Sequence, residues 1–348
     1  MRVLLVTNDF DANGATIMLY HLASHLVAVR GWEVGVFTTE ERSGDLRARF
    51  AALGVSFHAR ALFQDFDLAI INTLFGARDV AVFAPHLKTI FWVHEGATSV
   101  GNILNDATFD FGVFTLPDRI VFSSPVQQNQ IFASFLNKVP PERIRIVPPG
   151  APPRPPARPA PEAPADDGKQ RILCVGSIYR RKGPHDLIEA VAALDDDKVE
   201  CMLVGSFAML DTLGPGAAER LKWGGDRFRL PGVLLGEALD QCYAAADVFC
   251  LASYDETFGM AAVEAGHYGL PLVLTDLPAY RGIWNHGRNC LMVPPGDVAL
   301  LRWMLRILLD DPALRARLGE AARHTAKRFS IANSMRQFDG VIDELLDI

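Results

Sequence analysis

Residues 171–204 read RILCVGSIYRRKGPHDLIEAVAALDDDKVECMLV. Arg171 to Val175 is a short apolar run, the mark of a strand covered on both faces. A polar loop carrying Arg180, Arg181 and Lys182 follows. Pro184 to Leu194 then places its apolar residues at helical spacing, and Glu200 to Val204 is apolar again. Strand, loop, helix and strand in that order predict a parallel sheet with a right-handed crossover.

The same alternation extends in both directions. Downstream, Val233-Leu234-Leu235, Asp247 to Leu251 and Pro271 to Thr275 read as strands with helices between them. Val298 to Leu309, with Arg302 and Arg306 on one face, reads as an amphipathic helix on a core. Pro312 to Leu346 reads as helix, broken near Ser330. Upstream, Val3 to Val6 forms a strand, and Ala15 to Val29 carries a helical stripe that Gly31 ends. Glu33 to Thr38, Leu68 to Ile71, Thr89 to Val93, Ile120 to Phe122 and Ile144 to Val147 then repeat the strand pattern. Between the halves, Ala151 to Pro164 holds seven prolines in fourteen residues. Such a segment buries too little to fold and favours extended backbone. The chain therefore divides into an upstream α/β domain over 1–150, a proline-rich joint over 151–169, and a second α/β domain over 170–329. A last helix over 330–348 is expected to pack back on the first domain.

A length of 348 residues suits two domains, and 49% apolar with 22% charged residues is an ordinary globular balance. The net charge of -7 argues against nucleic acid as the main partner. Cys174, Cys201, Cys242, Cys250 and Cys290 form no C-x-x-C pair and mostly sit in apolar runs, so they read as small core residues in a reducing compartment. No stretch is long and apolar enough to span a bilayer, and the opening strand-like run does not resemble a secretion signal. A cytoplasmic protein is expected. Arg315, Arg317, Arg323, Lys327 and Arg328 suit either peripheral contact with the inner face of a membrane or a solvated helix face, with Glu320 among them.

The chemistry concentrates in Ser253 to Ala265, SYDETFGMAAVEA. Gly259 falls where a helix begins after a buried strand. A glycine there lets backbone N–H groups approach a ligand, and a helix N-terminus favours a diphosphate. Glu256 precedes the helix and Glu264 lies on it. The first suits the hydroxyls of a sugar and the second a ribose diol. A charge at Glu264, among Ala261, Ala262, Val263 and Ala265, requires a partner. The alternative for the pair is an exposed helix glutamate and a helix-start carboxylate.

These residues, with Gly269 to Val273, Thr275-Asp276, the loop Gly176 to Gly183 and the run Ile146 to Gly150, resemble the retaining glycosyltransferases of family four, of GT-B fold. The resemblance extends over nearly the whole chain. It implies two Rossmann-like domains facing a cleft, a nucleotide-sugar donor, an acceptor hydroxyl, no cofactor and no metal. It implies catalytic roles for His94, Glu256 and Lys182. It implies donor contacts at Gly14, Arg181, Lys182, Leu234, Leu235, Thr257, Phe258, Gly259, Met260, Ala261 and Glu264. Cations held beside a departing diphosphate stabilise the transition state more than the ground state. Domain closure over the donor would expel water.

The chain departs from the family at Ser177, where relatives carry arginine, and at Gly282, where they often carry glutamate. Asn13 also replaces the first glycine of the loop around Gly14, where a turn and helix cap is the alternative reading. His94 after its strand is either a proton acceptor or sugar contact, or a structural histidine. His21 and His25 have zinc-compatible spacing, but Leu22 stands where a metalloprotease helix carries glutamate. Gly96 to Pro117, rich in phenylalanine, shapes an acceptor pocket or simply packs. A nucleotide-dependent oxidoreductase is excluded because neither first strand leads into G-x-G-x-x-G. A sugar-nucleotide-binding or scaffold protein without turnover is the alternative function.

Overall fold

The computed structural model describes residues 1–348 apart from 39–43, 45, 61–62, 107–108, 153–167, 208–209 and 224. Most of the proline-rich joint therefore lies outside the described residues. The chain forms two compact units, one of Met1–Gly150 with Ile331–Ile348 and one of Ala151–Ser330.

The upstream unit holds strands β1 (Arg2–Val6), β2 (Glu33–Phe37), β3 (Ser56–His58), β4 (Leu68–Asn72), β5 (Lys88–Val93), β6 (Arg119–Phe122) and β7 (Ile144–Ile146). They pair in the order β3-β2-β1-β4-β5-β6-β7, all in parallel. The downstream unit holds β8 (Gln170–Val175), β9 (Val199–Val204), β10 (Phe228–Gly232), β11 (Val248–Leu251), β12 (Leu272–Thr275) and β13 (Leu291–Val293). Their order is β10-β9-β8-β11-β12-β13, again all parallel. Both sheets are Rossmann-like, as expected. In each, the chain leaves the first strand on one side and returns on the other, so the order reverses at β1/β4 and at β8/β11. Ligands of such sheets bind beyond the strand ends at that reversal.

Helices α1 (Gly14–Ala28), α2 (Arg47–Ala52), α3 (Ala77–Phe83) and α4 (Ala97–Leu104) cross over in the upstream unit. Helices α5 (Pro184–Ala192), α6 (Pro215–Trp223), α7 (Glu237–Ala245), α8 (Met260–His267), α9 (Val298–Asp310) and α10 (Pro312–Ala326) belong to the downstream unit. The last helix, α11 (Ile331–Leu346), groups with the upstream unit. It lays Phe338 against Trp92 with ring centroids 4.5 Å apart, and its acids meet upstream cations. His25 Nε2 lies 2.6 Å from Asp339, and Arg30 bonds Asp343. His25 thus serves to seat a helix.

Local chemistry explains the boundaries. Asn13 caps α1 by accepting from Thr16 N–H at 3.0 Å, and Asp297 and Asp311 cap α9 and α10 in the same way at 2.9 Å each. In α9, Leu301, Leu305, Leu308 and Leu309 are buried while Trp303 faces out. The expected strand at 233–235 is displaced: β10 is Phe228–Gly232, and Val233 to Leu235 lie in the loop beyond it. β10 is the sheet edge, half-buried and carrying Pro231, so no continuous apolar run marks it. The short strand β3 gives no such run either, whereas β13 lies in the apolar run Cys290 to Val293 and is an addition to the expected strands. All five cysteines are free thiols. Among the described residues no helix is long and apolar enough to cross a membrane.

Candidate functional site

Two loops flank the order reversal of the downstream sheet. One follows β8 and carries Arg180, Arg181 and Lys182; the other follows β11 and carries Ser253 to Gly259. They are laced together. Tyr254 N–H donates to the Arg181 carbonyl at 2.8 Å. The Arg181 guanidinium donates to the Asp255 carbonyl at 2.6 Å and also bonds the Tyr179 hydroxyl. Gly183, at φ +66°, passes so close to the Ala252 carbonyl oxygen that a Cβ would stand 1.8 Å from it. Only glycine allows that approach.

This lacing brings Lys182 to Glu256. The Lys182 ammonium donates to Glu256 Oε1 at 2.6 Å, and Ser253 Oγ donates to the same oxygen at 2.8 Å. Glu256 is only 8% exposed. A carboxylate that deep needs paired, charge-assisted partners, and it has them. Thr275 Oγ1 completes the network, donating to the Ser253 carbonyl at 2.5 Å from the end of β12. Sequence reasoning did not single out Ser253 or Thr275 for roles of their own; hydroxyls at strand ends are too common to signal one.

Gly259 opens α8 at φ +80°, with no side-chain cap on the helix. A Cβ there would lie 2.5 Å from the buried Tyr280 ring. The turn therefore excludes side chains twice over, by backbone conformation and by space. Thr257 is half-buried in the loop before it. Phe258 is buried and packs edge-on against Phe329 at 5.2 Å, so it anchors the loop by its ring. Met260 and Ala261 are half-buried in the first turn and pack on the core. Glu264, one turn further on, has the partner its apolar helix requires: Tyr243 of α7 donates its hydroxyl to Oε2 at 2.7 Å. Leu234 and Leu235 are half-buried in the loop after β10, at the same edge of the sheet.

Of the two departures, Gly282 has a local reason and Ser177 has no structural explanation. Ser177 is exposed, and so is Arg180 in the same loop. Gly282 has φ +78° with open space about it, a backbone suited to glycine alone. Of the basic residues near the end, Arg315 and Arg323 are half-buried, whereas Arg317, Lys327 and Arg328 are exposed. Arg315 donates to the carbonyls of Leu308 and Leu309, Arg317 to that of Gly287 and Arg323 to that of Tyr268. Arg315 and Arg323 thereby tie the ends of α9 and α8 in place.

In the upstream unit, Gly14 begins α1 behind a self-bonded turn. Asp9 Oδ1 accepts from Asp11 N–H, from Asn13 Nδ2 and from Thr16 Oγ1. His94 follows β5 with its ring 4.7 Å from that of Trp92. Its Nε2 is shut away from solvent with no protein partner, and burial lowers its pKa to about 3. The imidazole is therefore neutral at ordinary pH. Glu95 beside it is buried, which raises its carboxyl to about 7 against the pull of backbone N–H donors. Among the described residues no three His, Cys, Asp or Glu side chains gather as a metal site.

The chain resembles known proteins in sequence and in fold. Residues 160–325 match the family described as glycosyl transferases group 1. A D-inositol 3-phosphate glycosyltransferase of Corynebacterium kroppenstedtii is 32% identical over 184 residues, which is 50% of this chain and 40% of that protein. The chain thus aligns with less than half of that relative's length. In fold, the crystal structure of Anabaena HepE in complex with UDP-glucose superposes with TM-score 0.79, covering 99% of this chain and 100% of that one at 18% identity. Sucrose-phosphate synthase from Thermosynechococcus elongatus superposes with TM-score 0.76, covering 100% and 99% at 23% identity. The likeness to the glycosyl transferases group 1 family thus covers residues 160–325, most of the downstream unit.

Proposed function

We propose that this protein is a retaining glycosyltransferase that moves a sugar from a nucleotide-diphosphate donor to an acceptor hydroxyl. The observation that carries the reading is the buried Lys182–Glu256–Ser253 network, set beside the uncapped, glycine-led start of α8 at the sheet reversal. A polar network of that kind is high-stakes, and a cation next to free helix N–H groups is suited to a diphosphate.

Roles follow from position. The N-terminal N–H groups of α8 and the Lys182 ammonium hold the diphosphate. Glu256 accepts from sugar hydroxyls, and Glu264, oriented by Tyr243, accepts from the ribose diol. Arg181 spends its guanidinium on Asp255 and Tyr179, so it fixes the loop that carries Glu256. The bond between the anomeric carbon and the diphosphate oxygen breaks, and the leaving diphosphate keeps the electron pair. The acceptor oxygen bonds the anomeric carbon on the same face and gives its proton to a diphosphate oxygen. Lys182 and the helix end stabilise the charge that develops on the leaving group, in place of a metal ion. The solved complex of HepE with UDP-glucose supports a uridine donor, and the inositol-phosphate relatives support a polyol acceptor. Within the upstream unit, His94, a neutral imidazole, and Gly14 are included in the proposal as substrate contacts.

The test is a panel of nucleotide sugars offered to the protein, read as thermal stabilisation and as donor turnover. Stabilisation with turnover, both lost in Glu256→Ala and Lys182→Ala, is expected. Stabilisation without turnover in any condition assigns the chain to the non-catalytic sugar-nucleotide binders.

A further inference from the structure

The upstream sheet reverses its strand order between β1 and β4, and the backbone beyond β4 is strained at that point. Thr73 has φ +71° and ψ 155°, a region occupied almost only by glycine. A threonine stays there only if its surroundings hold it, and such outliers gather at functional sites.

The holding contacts run across successive strand ends. Thr73 N–H donates to the Trp92 carbonyl at 2.9 Å, and Thr73 Oγ1 donates to Asn8 Oδ1, beyond β1, at 3.1 Å. The next residue, Leu74, donates its N–H to the Glu95 carboxylate, which also accepts from His94 N–H at 3.0 Å. Glu95 is secured from the other side by Gln127, which is fully buried. Gln127 Nε2 donates to the carbonyls of Glu95 at 2.9 Å and Val93 at 3.1 Å, while its Oε1 accepts from Ser123 N–H at 2.7 Å. Asn8, Thr73, Glu95 and Gln127 thus wire the ends of β1, β4, β5 and β6 into one frame. Glu95 is the one carboxylate in it that grips backbone from two strand ends.

We propose that Glu95 is a positioning residue whose carboxylate, by gripping Leu74 N–H and His94 N–H together, holds Thr73 in its strained conformation and keeps the upstream binding edge preformed. That this edge receives a sugar substrate rests on the glycosyltransferase reading; the clamp itself does not. Preformed edges lower the ordering cost of binding and hold reacting groups at bonding distance.

The experiment pairs a broken clamp with a relieved strain. In Glu95→Ala, the amides of Leu74 and His94 are expected to exchange with solvent at least about tenfold faster than in the parent, while amides of the downstream sheet keep their rates. Thr73→Gly adopts the same backbone without strain. The double variant Glu95→Ala/Thr73→Gly is therefore expected to regain most of the melting temperature lost in Glu95→Ala. With UDP-glucose as probe, Glu95→Ala is expected to lower turnover about tenfold while UDP-induced stabilisation is unchanged, and the double variant recovers turnover. Unchanged exchange at Leu74 in Glu95→Ala, or no recovery from Thr73→Gly, overturns the clamp. If the parent turns over no nucleotide sugar, the functional reading fails, and the exchange and melting data still judge the clamp by themselves.

Discussion

Replacing Lys182 with methionine removes the cation and keeps most of the side-chain volume. The structure then leaves Glu256, 8% exposed, with Ser253 Oγ at 2.8 Å as the remaining donor to Oε1. Breaking a buried pair by deleting one partner costs about 3–5 kcal/mol. Lys182 retains 21% of its side-chain exposure, which puts the expectation at the lower end, about 3 kcal/mol. For a unit of this size that is a melting shift of roughly 6–12 °C. Glu256→Gln keeps an oxygen for both donors and removes the buried charge, so its cost is expected near 1 kcal/mol. The double variant Lys182→Met/Glu256→Gln should then be more stable than Lys182→Met alone, with a coupling of about 2 kcal/mol in the cycle. Chemical denaturation of the four proteins measures it. A Lys182→Met cost under about 0.5 kcal/mol, or strict additivity, would show that the pair is a surface contact and refute the buried-network argument.

Three further expectations follow from particular contacts. Burial lowers His94 to about 3 and raises Glu95 to about 7, from ordinary values of 6.5 and 4.5. Between pH 4.5 and 6.5 the unfolded chain carries a proton on His94 that the fold excludes, so that residue makes stability rise with pH. Over the same range the fold keeps a proton on Glu95 that the unfolded chain has shed, so that residue makes stability fall. Each slope is about 1.4 kcal/mol per pH unit, and the two cancel. Urea titrations should therefore show a rise across this range in Glu95→Gln and a fall in His94→Gln; parallel curves for parent and variants would contradict it. Gly259→Ala meets both left-handed strain and the Tyr280 ring and should cost about 3 kcal/mol. Gly259→Ala/Tyr280→Ala should relieve only the steric part relative to Tyr280→Ala, and an undiminished cost in that background denies the clash. Tyr243→Phe removes the donor to Glu264 and should cost about 1 kcal/mol while weakening binding of UDP; calorimetry showing parental affinity would separate Glu264 from the ribose.

Much of the architecture was legible because buried parallel strands announce themselves as apolar runs. Residues 171–175 and 248–251 are examples, and both proved to be central strands. What escaped was at the edges. β10 carries Pro231 and alternates in exposure, β3 is three residues with polar ends, and the apolar run Cys290 to Val293 that holds β13 is not among the expected strands. At the site, Lys182 and Glu256 were both marked from sequence, yet nothing in the sequence required that they touch. Their contact depends on Gly183 sliding under the Ala252 carbonyl, a tertiary fact. Tyr243 was invisible for the same reason, since it reaches Glu264 from another helix. Glu95 and Gln127 are ordinary polar residues until the strand ends bring them into one frame.

The central claim is a nucleotide-sugar site in the downstream unit, and titration of UDP and UDP-glucose by calorimetry reaches it most directly. The account predicts saturable one-site binding by the parent, weakened at least about tenfold in Lys182→Met and in Gly259→Ala, each checked to be folded at the assay temperature. Binding that is absent from the parent for every nucleoside diphosphate tried, or that survives both substitutions unchanged, would contradict it.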